Sequence, residues 1–410
     1  MPEYDKMVQK HHDDLVRKDK GMADLFEFLT PCHFGTESVL KKEITDLGYE
    51  IKAVEDGKVS FLGDVTAIPR ANIFLRTTER VLLVVGRFKA TSFEELFEKT
   101  KALPWERYIP ENGKFWVTKA NSVKSKLFSP SDIQRIMKKA MVERMKQSYK
   151  KEWFPEDGAP FPIRVSIMKD EVTVGLDTSG ESLHKRGYRK LSSKAPITET
   201  LAAALILLTP WKEDRILVDP FCGSGTIPIE AAMIGANIAP GMNREFLSEE
   251  WTHLVPKKLW YDAINEAEDG IKHDVTMQIQ GYDIDGDMIK AARQNAEDAG
   301  VAEYIHFQQR PVSQLSHAKK YGFVITNPPY GERLEEKKAL PGLYQEFGKA
   351  FAGLDAWSCY MITSYEEAQK YFGRQADKNR KIYNGMLKTY FYQFMGPRPP
   401  KKRPEGKQGE

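Results

Sequence analysis

Asn327-Pro-Pro-Tyr330 follows the apolar run FVIT and carries the most specific chemistry in the sequence. An exocyclic amine on a nucleobase is a poor nucleophile, because its lone pair is delocalised into the ring. The Asn327 side-chain oxygen and a rigid carbonyl at Pro328 can accept both amine hydrogens. That favours a pyramidal nitrogen with its lone pair aimed at a methyl donor, which is catalysis by positioning. Pro328 and Pro329 stiffen the loop. Tyr330 can stack on the base, an interaction worth ~1–3 kcal/mol. A Pro-rich turn after any strand would look similar in isolation, so the upstream partner motif matters.

That partner is Asp219-Pro-Phe-Cys-Gly-Ser-Gly-Thr226, between an apolar strand and a helix. Ligands of open α/β sheets bind at this edge. Gly223 and Gly225 allow a tight turn and close approach to the backbone. A dinucleotide fingerprint would want glycine where Pro228 stands, and a P-loop would want a lysine that is missing. A donor without phosphates, carrying an amino acid and a nucleoside, fits better. Asp219, Phe221, Cys222, Gly223, Ser224, Gly225 and Thr226 are the candidate contacts, with Asn327 at the methyl end. Gly281-Tyr-Asp-Ile-Asp285 ends the next strand. Asp283 is positioned to accept ribose hydroxyls, with Ile284 beside it, and Asp285 to cap the following helix. The excess spacing between Gly223 and Asp283 reads as an insertion over 243–274.

These motifs need a scaffold. Thr198 onward alternates helix and strand, which implies a doubly wound parallel sheet. Upstream, the pattern from Leu25 to Phe88 reads β-α-β-α-β, a ferredoxin-like α+β unit, with its second helical stretch broken near Pro69. A second unit runs over 92–183. Ser129-Pro130 starts a helix there with a stripe of Ile133, Ile136, Met137, Ala140 and Met141. The expected divisions are a flexible extension over 1–21, a ferredoxin-like domain over 22–91, a second unit over 92–183, a linker over 184–197, the catalytic domain over 198–396 and a basic disordered tail over 397–410.

The 410 residues carry a net charge of +3, which alone says little about partners. Its distribution says more: eleven Lys or Arg against two acids between Lys114 and Lys151. A charge run is often only a solvated helix face. Together with the basic tail it points to a polyanion, with Lys126, Arg135, Lys138, Lys139, Lys146, Lys185, Arg186 and Arg189 as candidate RNA contacts. The three cysteines form no CxxC pair and the eight histidines have no ligand spacing, so no metal is expected and a reducing cytoplasm fits. No apolar run is long enough to span a bilayer.

DPFCGSGTIPIEAA, GYDID and TNPPYGERL together resemble the Rossmann-like class I methyltransferase domain of the THUMP-containing RNA guanine-N2 methyltransferases. KSKLFSPSDIQRIMKKA and LDTSGESLHKRGYR resemble their THUMP region and its junction, and this resemblance makes the second unit, 92–183, an RNA-binding THUMP domain. The resemblance covers roughly Asp24 to Gly396 and is nearest the bacterial branch acting on large-subunit ribosomal RNA. It implies S-adenosylmethionine held by the glycine motif and Asp283, the target guanine held by Asn327–Tyr330, and Pro196, Thr198 and Thr200 helping to close the cofactor pocket. The stretch Gln309–Leu315 departs from the pattern, with no acid for the adenine amine. Backbone groups or Gln309 would hold the adenine instead. A tRNA substrate is the rival within this class, and DNA adenine-N6 methylation the rival outside it.

Overall fold

The computed structural model describes residues 25–189, 197–331 and 334–400. The extension over 1–21, Pro196 and the tail beyond 400 lie outside them.

Two seven-stranded sheets organise the chain. The first is built from β1 (Phe26–Pro31), β2 (Glu50–Glu55), β3 (Lys58–Gly63), β4 (Leu82–Lys89), β5 (Lys114–Val123), β6 (Pro160–Met168) and β7 (Glu171–Asp177), in the order β2-β3-β1-β4-β7-β6-β5. Helices α1 (Glu37–Asp46), α2 (Ala67–Phe74), α3 (Phe93–Lys101) and α4 (Pro130–Tyr149) accompany it. The ferredoxin-like unit is therefore β-α-β-β-α-β, with one more strand than its sequence pattern suggests. The extra strand, β2, is at the sheet edge and half exposed, so EIKAVE has no continuous apolar run to announce it. Helix α2 runs unbroken through Pro69, which sits in the first turn, where its missing N–H forfeits no helical hydrogen bond.

The two N-terminal units share this sheet through antiparallel pairing of β4 with β7. Lys169 and Asp170 turn β6 into β7, both at positive φ, the turn that suits a tight hairpin. In α4 the Ser129 hydroxyl accepts the Asp132 N–H, and Ile133, Met137, Ala140, Met141 and Met145 are buried.

The second sheet comprises β8 (Leu217–Asp219), β9 (Ile279–Asp283), β10 (Ile305–Gln309), β11 (Phe323–Thr326), β12 (Ser358–Thr363), β13 (Lys378–Asn384) and β14 (Leu387–Phe394). Its order is β10-β9-β8-β11-β12-β14-β13. The first five strands are parallel, but β14 runs antiparallel to both β12 and β13, so the sheet is mixed rather than wholly parallel. Helices α5 (Glu199–Leu207), α6 (Thr226–Gly235), α7 (Lys257–Asp269), α8 (Gly286–Asp298), α9 (Leu334–Ala352) and α10 (Ala368–Phe372) complete the domain.

The 243–274 insertion fastens the halves together. Phe246, Trp251, Val255, Trp260, Ala263 and Ala267 are buried in the same core as the first sheet. Trp251 stacks on Phe161 at 4.8 Å, and its indole N–H donates to the Pro160 carbonyl at 2.8 Å. Arg70 on α2 grips Glu266 on α7 through two bonds of 2.6 and 2.7 Å. The described start of the segment expected to be a linker, 184–189, is also built in. Arg186 and Tyr188 are buried and both reach Glu230 on α6.

Candidate active site at the carboxyl edge of the second sheet

Three strand ends converge on one cleft of about 720 Å³, a size suited to a nucleoside-bearing ligand. β8 supplies Asp219 to Ser224 and Thr226, β9 supplies Asp283 to Asp285, and β11 supplies Asn327 to Gly331. The opposite walls come from Pro311, Val312, Leu340, Leu343 and Ile197.

The glycine loop is held by its backbone. Gly223 and Gly225 have φ of +52° and +88°, in the left-handed region where a side chain is strained. A Cβ on Gly223 would meet nothing within 4 Å, whereas one on Gly225 would press on Ala292 and Phe307 at 3.0 Å. The two glycines thus differ: Gly223 borders the cleft, and Gly225 lets α6 pack against α8. The Cys222 N–H donates to the Tyr282 carbonyl at 2.9 Å, tying the loop to β9.

Two carboxylates brace the site. Asp219 is fully buried, and its Oδ1 accepts from Thr326 Oγ1 at 2.6 Å and from the Phe221 N–H at 3.1 Å. Burial pushes its pKa up to about 7, against those two hydrogen bonds. Asp283 accepts from the Gly223 N–H at 3.0 Å and the Asp285 N–H at 2.9 Å. Burial raises its pKa also, and the two N–H groups only partly offset this. Asp285 caps α8, accepting the Asp287 N–H at 2.8 Å.

The Asn327–Tyr330 loop is locked from behind. The Tyr344 hydroxyl donates to the Pro329 carbonyl at 3.1 Å and lies 2.8 Å from Thr363 Oγ1. Burial raises the Tyr344 pKa, so the phenol stays protonated and can donate. Tyr344, Leu340 and Leu343 lie on α9, a helix that no motif marks. Its apolar spacing Leu340, Tyr344, Phe347 and Phe351 is the signal that finds it.

The residues fit S-adenosylmethionine. Among the described residues the buried Ser224 hydroxyl has no partner, and it borders the cleft, where a polar ligand group would satisfy it. Asp283 borders it with a carboxylate for a ribose, and exposed Ile284 with Pro311 and Val312 offers an apolar slot for a purine. Gln309 does not line the cleft, since its amide donates to the Ile284 carbonyl at 2.9 Å.

Several expected contacts lie elsewhere. Thr198 and Thr200 do not line the cleft; their hydroxyls meet His33 and Glu79 of the ferredoxin-like unit. Arg186 is 3% exposed and spent on Glu230 and the carbonyls of Leu183 and Arg76, so it is removed from the RNA contacts. Arg189 is paired with Glu199 at 2.9 Å and bonded to the Ile197 carbonyl, and is removed with it. Lys138 is held by Glu156 and the Phe115 ring, and Lys146 by Glu152. Lys126, Arg135, Lys139 and Lys185 are exposed, although Arg135 and Lys185 have local acid partners in Asp132 and Glu181. Among the described residues, no cluster of His, Cys, Asp and Glu could hold a metal, and no helix is long and apolar enough to cross a membrane.

The chain is similar to known proteins along most of its length. A family model for the RMKL-like methyltransferase domain matches residues 186–393. Models for the RlmL ferredoxin-like domain and the THUMP domain match 27–82 and 90–177. The chain is 50% identical over 387 residues to the putative RNA methyltransferase YpsC of Bacillus subtilis (strain 168), covering 94% of this chain and 99% of that one. It is 33% identical over 379 residues to the ribosomal RNA large subunit methyltransferase K/L of Shewanella pealeana (strain ATCC 700345 / ANG-SQ1), covering 90% of this chain. It spans 52% of that relative, about half its length. A solved structure of SMU.472, a putative methyltransferase complexed with SAH, matches with a TM-score of 0.87 at 44% identity, over 92% of this chain and 100% of that one. With the glycine loop, the Asp283 carboxylate and the Asn327 loop around one cleft, the chain belongs to the RMKL-like methyltransferase family and takes S-adenosylmethionine as its methyl donor.

Proposed function

We propose that the chain methylates the exocyclic N2 amine of a guanine in 23S ribosomal RNA. The observation that carries this reading is the placement of Asn327, Pro328 and Tyr330 on the rim of the same cleft as the glycine loop and Asp283. The ribosomal assignment draws support from the K/L relatives, and the RNA assignment from the THUMP match.

When bound, S-adenosylmethionine supplies an electrophilic methyl group on a sulfonium. The chain's part is to orient the amine. Asn327 Oδ1 and the Pro328 carbonyl accept its two hydrogens, so the lone pair is freed toward the cleft. Tyr330 stacks on the base, while Tyr344 keeps the loop from yielding. Asp283 accepts the ribose hydroxyls, and the glycine loop admits the amino-acid end. The S–CH3 bond would break as the N–CH3 bond forms, the sulfur keeping the electron pair as the thioether S-adenosylhomocysteine, and the methylated amine would release a proton to water, so this chain need supply no strong general base.

The test is nucleoside mass spectrometry of unmodified ribosomal RNA after incubation with the protein and donor, with tRNA and DNA in parallel. N2-methylguanosine in ribosomal RNA supports the reading. The same product only in tRNA, or N6-methyladenine in DNA, would overturn the substrate.

A further inference from the structure

Helix α5 begins in an unusual way. Thr198 occupies the N-cap position but makes no side-chain cap bond, although threonine there commonly does and its loss costs about 1 kcal/mol. Its Oγ1 instead lies 3.2 Å from His33 Nε2. Two residues on, the buried Thr200 hydroxyl donates to Glu79. Both hydroxyls have turned away from their own domain toward the ferredoxin-like unit.

Glu79 is the hub of this contact. His184 Nδ1 approaches its carboxylate at 3.0 Å and His33 Nε2 at 3.3 Å. Burial opposes its ionisation, but His184, His33 and Thr200 outweigh that and hold the carboxyl far below the usual range. Its backbone is fixed as well: the Glu79 N–H donates to the Pro31 carbonyl at 2.8 Å, and its carbonyl accepts the Leu183 N–H at 2.9 Å. His33 Nδ1 lies 3.0 Å from the Tyr383 carbonyl on β13, so the same node also touches the far edge of the second sheet.

What Glu79 holds is the cleft wall. Ile197, immediately before Thr198, is buried in the core of the methyltransferase domain and lines the cofactor cleft. We propose that Glu79, with His33, is a positioning residue for the methyltransferase cleft: from the N-terminal half, through Thr198 and Thr200, it sets the placement of the Ile197 wall and thereby the affinity for the donor. The ferredoxin-like unit is then a working part of the cofactor site, coupled to it through two threonine hydroxyls. The coupling needs only the cleft and its donor, and is independent of which nucleic acid is methylated.

The experiment is calorimetric titration of the full chain with S-adenosylhomocysteine. Thr200→Val removes only the hydroxyl and is expected to weaken binding by about five-fold or more, within the usual range of coupling between sites. Thr200→Ser, which keeps the hydroxyl, should bind like wild type. Glu79→Ala should weaken binding at least as much as Thr200→Val. The double variant Glu79→Ala/Thr200→Val should be no weaker than Glu79→Ala, because both act through one contact. A lowered melting temperature with unchanged affinity would mean a purely structural joint and would overturn the proposal. So would a Thr200→Val affinity within two-fold of wild type, or fully additive losses. If Glu79→Ala does not fold, the Thr200 pair decides the matter alone.

Discussion

The carboxyl edge of the second sheet and the basic helix α4 make an instructive contrast. At the sheet edge, function is written into the backbone. Gly223 at φ +52°, the stiff Pro328-Pro329 and the Asp283 carboxylate on the Asp285 N–H two residues on are local features, fixed by residue type and short spacing. On α4, function would have to come from cations, and tertiary neighbours decide which cations are available. Lys138 and Lys146 are held by Glu156 and Glu152, acids from the loop after the helix. Arg135 and Lys139 stand outward. A site made of backbone shape survives the passage from sequence to structure better than a site made of charge.

The largest expected effect lies at the sheet edge. Asn327→Ala should lose turnover by at least ~100-fold while binding the donor nearly normally, the scale seen when one positioned polar group is removed from an active site. Steady-state kinetics beside calorimetry checks this, and an equal loss in both would reassign Asn327 to the cofactor. Asp283→Ala should weaken donor binding by about ten-fold or more, since a hydrogen bond to a charged acceptor is worth ~1.5–3 kcal/mol. An unchanged affinity would leave Asp283 as a brace for Gly223 alone.

A pH measurement sharpens the same region. Asp219 holds its proton to about pH 7, against 3.8 for an ordinary aspartate. The folded state therefore binds more protons than the unfolded state between those values. Stability from this group is full below pH 4 and falls as pH rises toward 7. Three units correspond to roughly 4 kcal/mol at most. Asp219→Asn keeps an acceptor for Thr326 without the charge, so it should gain several degrees in melting temperature over wild type at pH 8 and little at pH 4. Parallel melting curves across that range would contradict the assignment.

The smallest effect belongs to the basic helix. Charge reversal of Arg135 and Lys139 together should weaken RNA binding several-fold and flatten its salt dependence by about two phosphate contacts. Reversal of Lys138 instead should mainly lower stability, because it strands Glu156. If the double and the single reversal weakened binding alike, the distinction between outward-facing cations and those held by the loop after this helix would fail.

Particular residues show what was readable in advance. The strands carrying the motifs, the Ser129 cap of α4 and the Asp285 cap of α8 follow from local rules. Strand β2 was hidden by its polar edge position, whereas α3 was legible and passed over: Ser92 caps it by accepting the Glu95 N–H, and Phe93, Leu96 and Phe97 repeat at helical spacing. Arg186 and Arg189 read as solvent cations because nothing nearby in sequence reveals Glu230, 44 residues on, or the fold-back of Arg189 onto Glu199. Thr198 and Thr200 were expected in the cofactor pocket, and their neighbour Ile197 lines it. Their hydroxyls point to Glu79 and His33, more than a hundred residues upstream, a pairing only the assembled domains create.

The most direct test of the central claim is a map of methylated nucleosides in total RNA and DNA from a strain lacking the gene, complemented with the wild-type chain or with Asn327→Ala. Loss of one N2-methylguanosine from 23S ribosomal RNA, restored by the wild-type chain and not by Asn327→Ala, is the predicted result. An unchanged set of modified guanosines in ribosomal RNA, or restoration by Asn327→Ala, would contradict it.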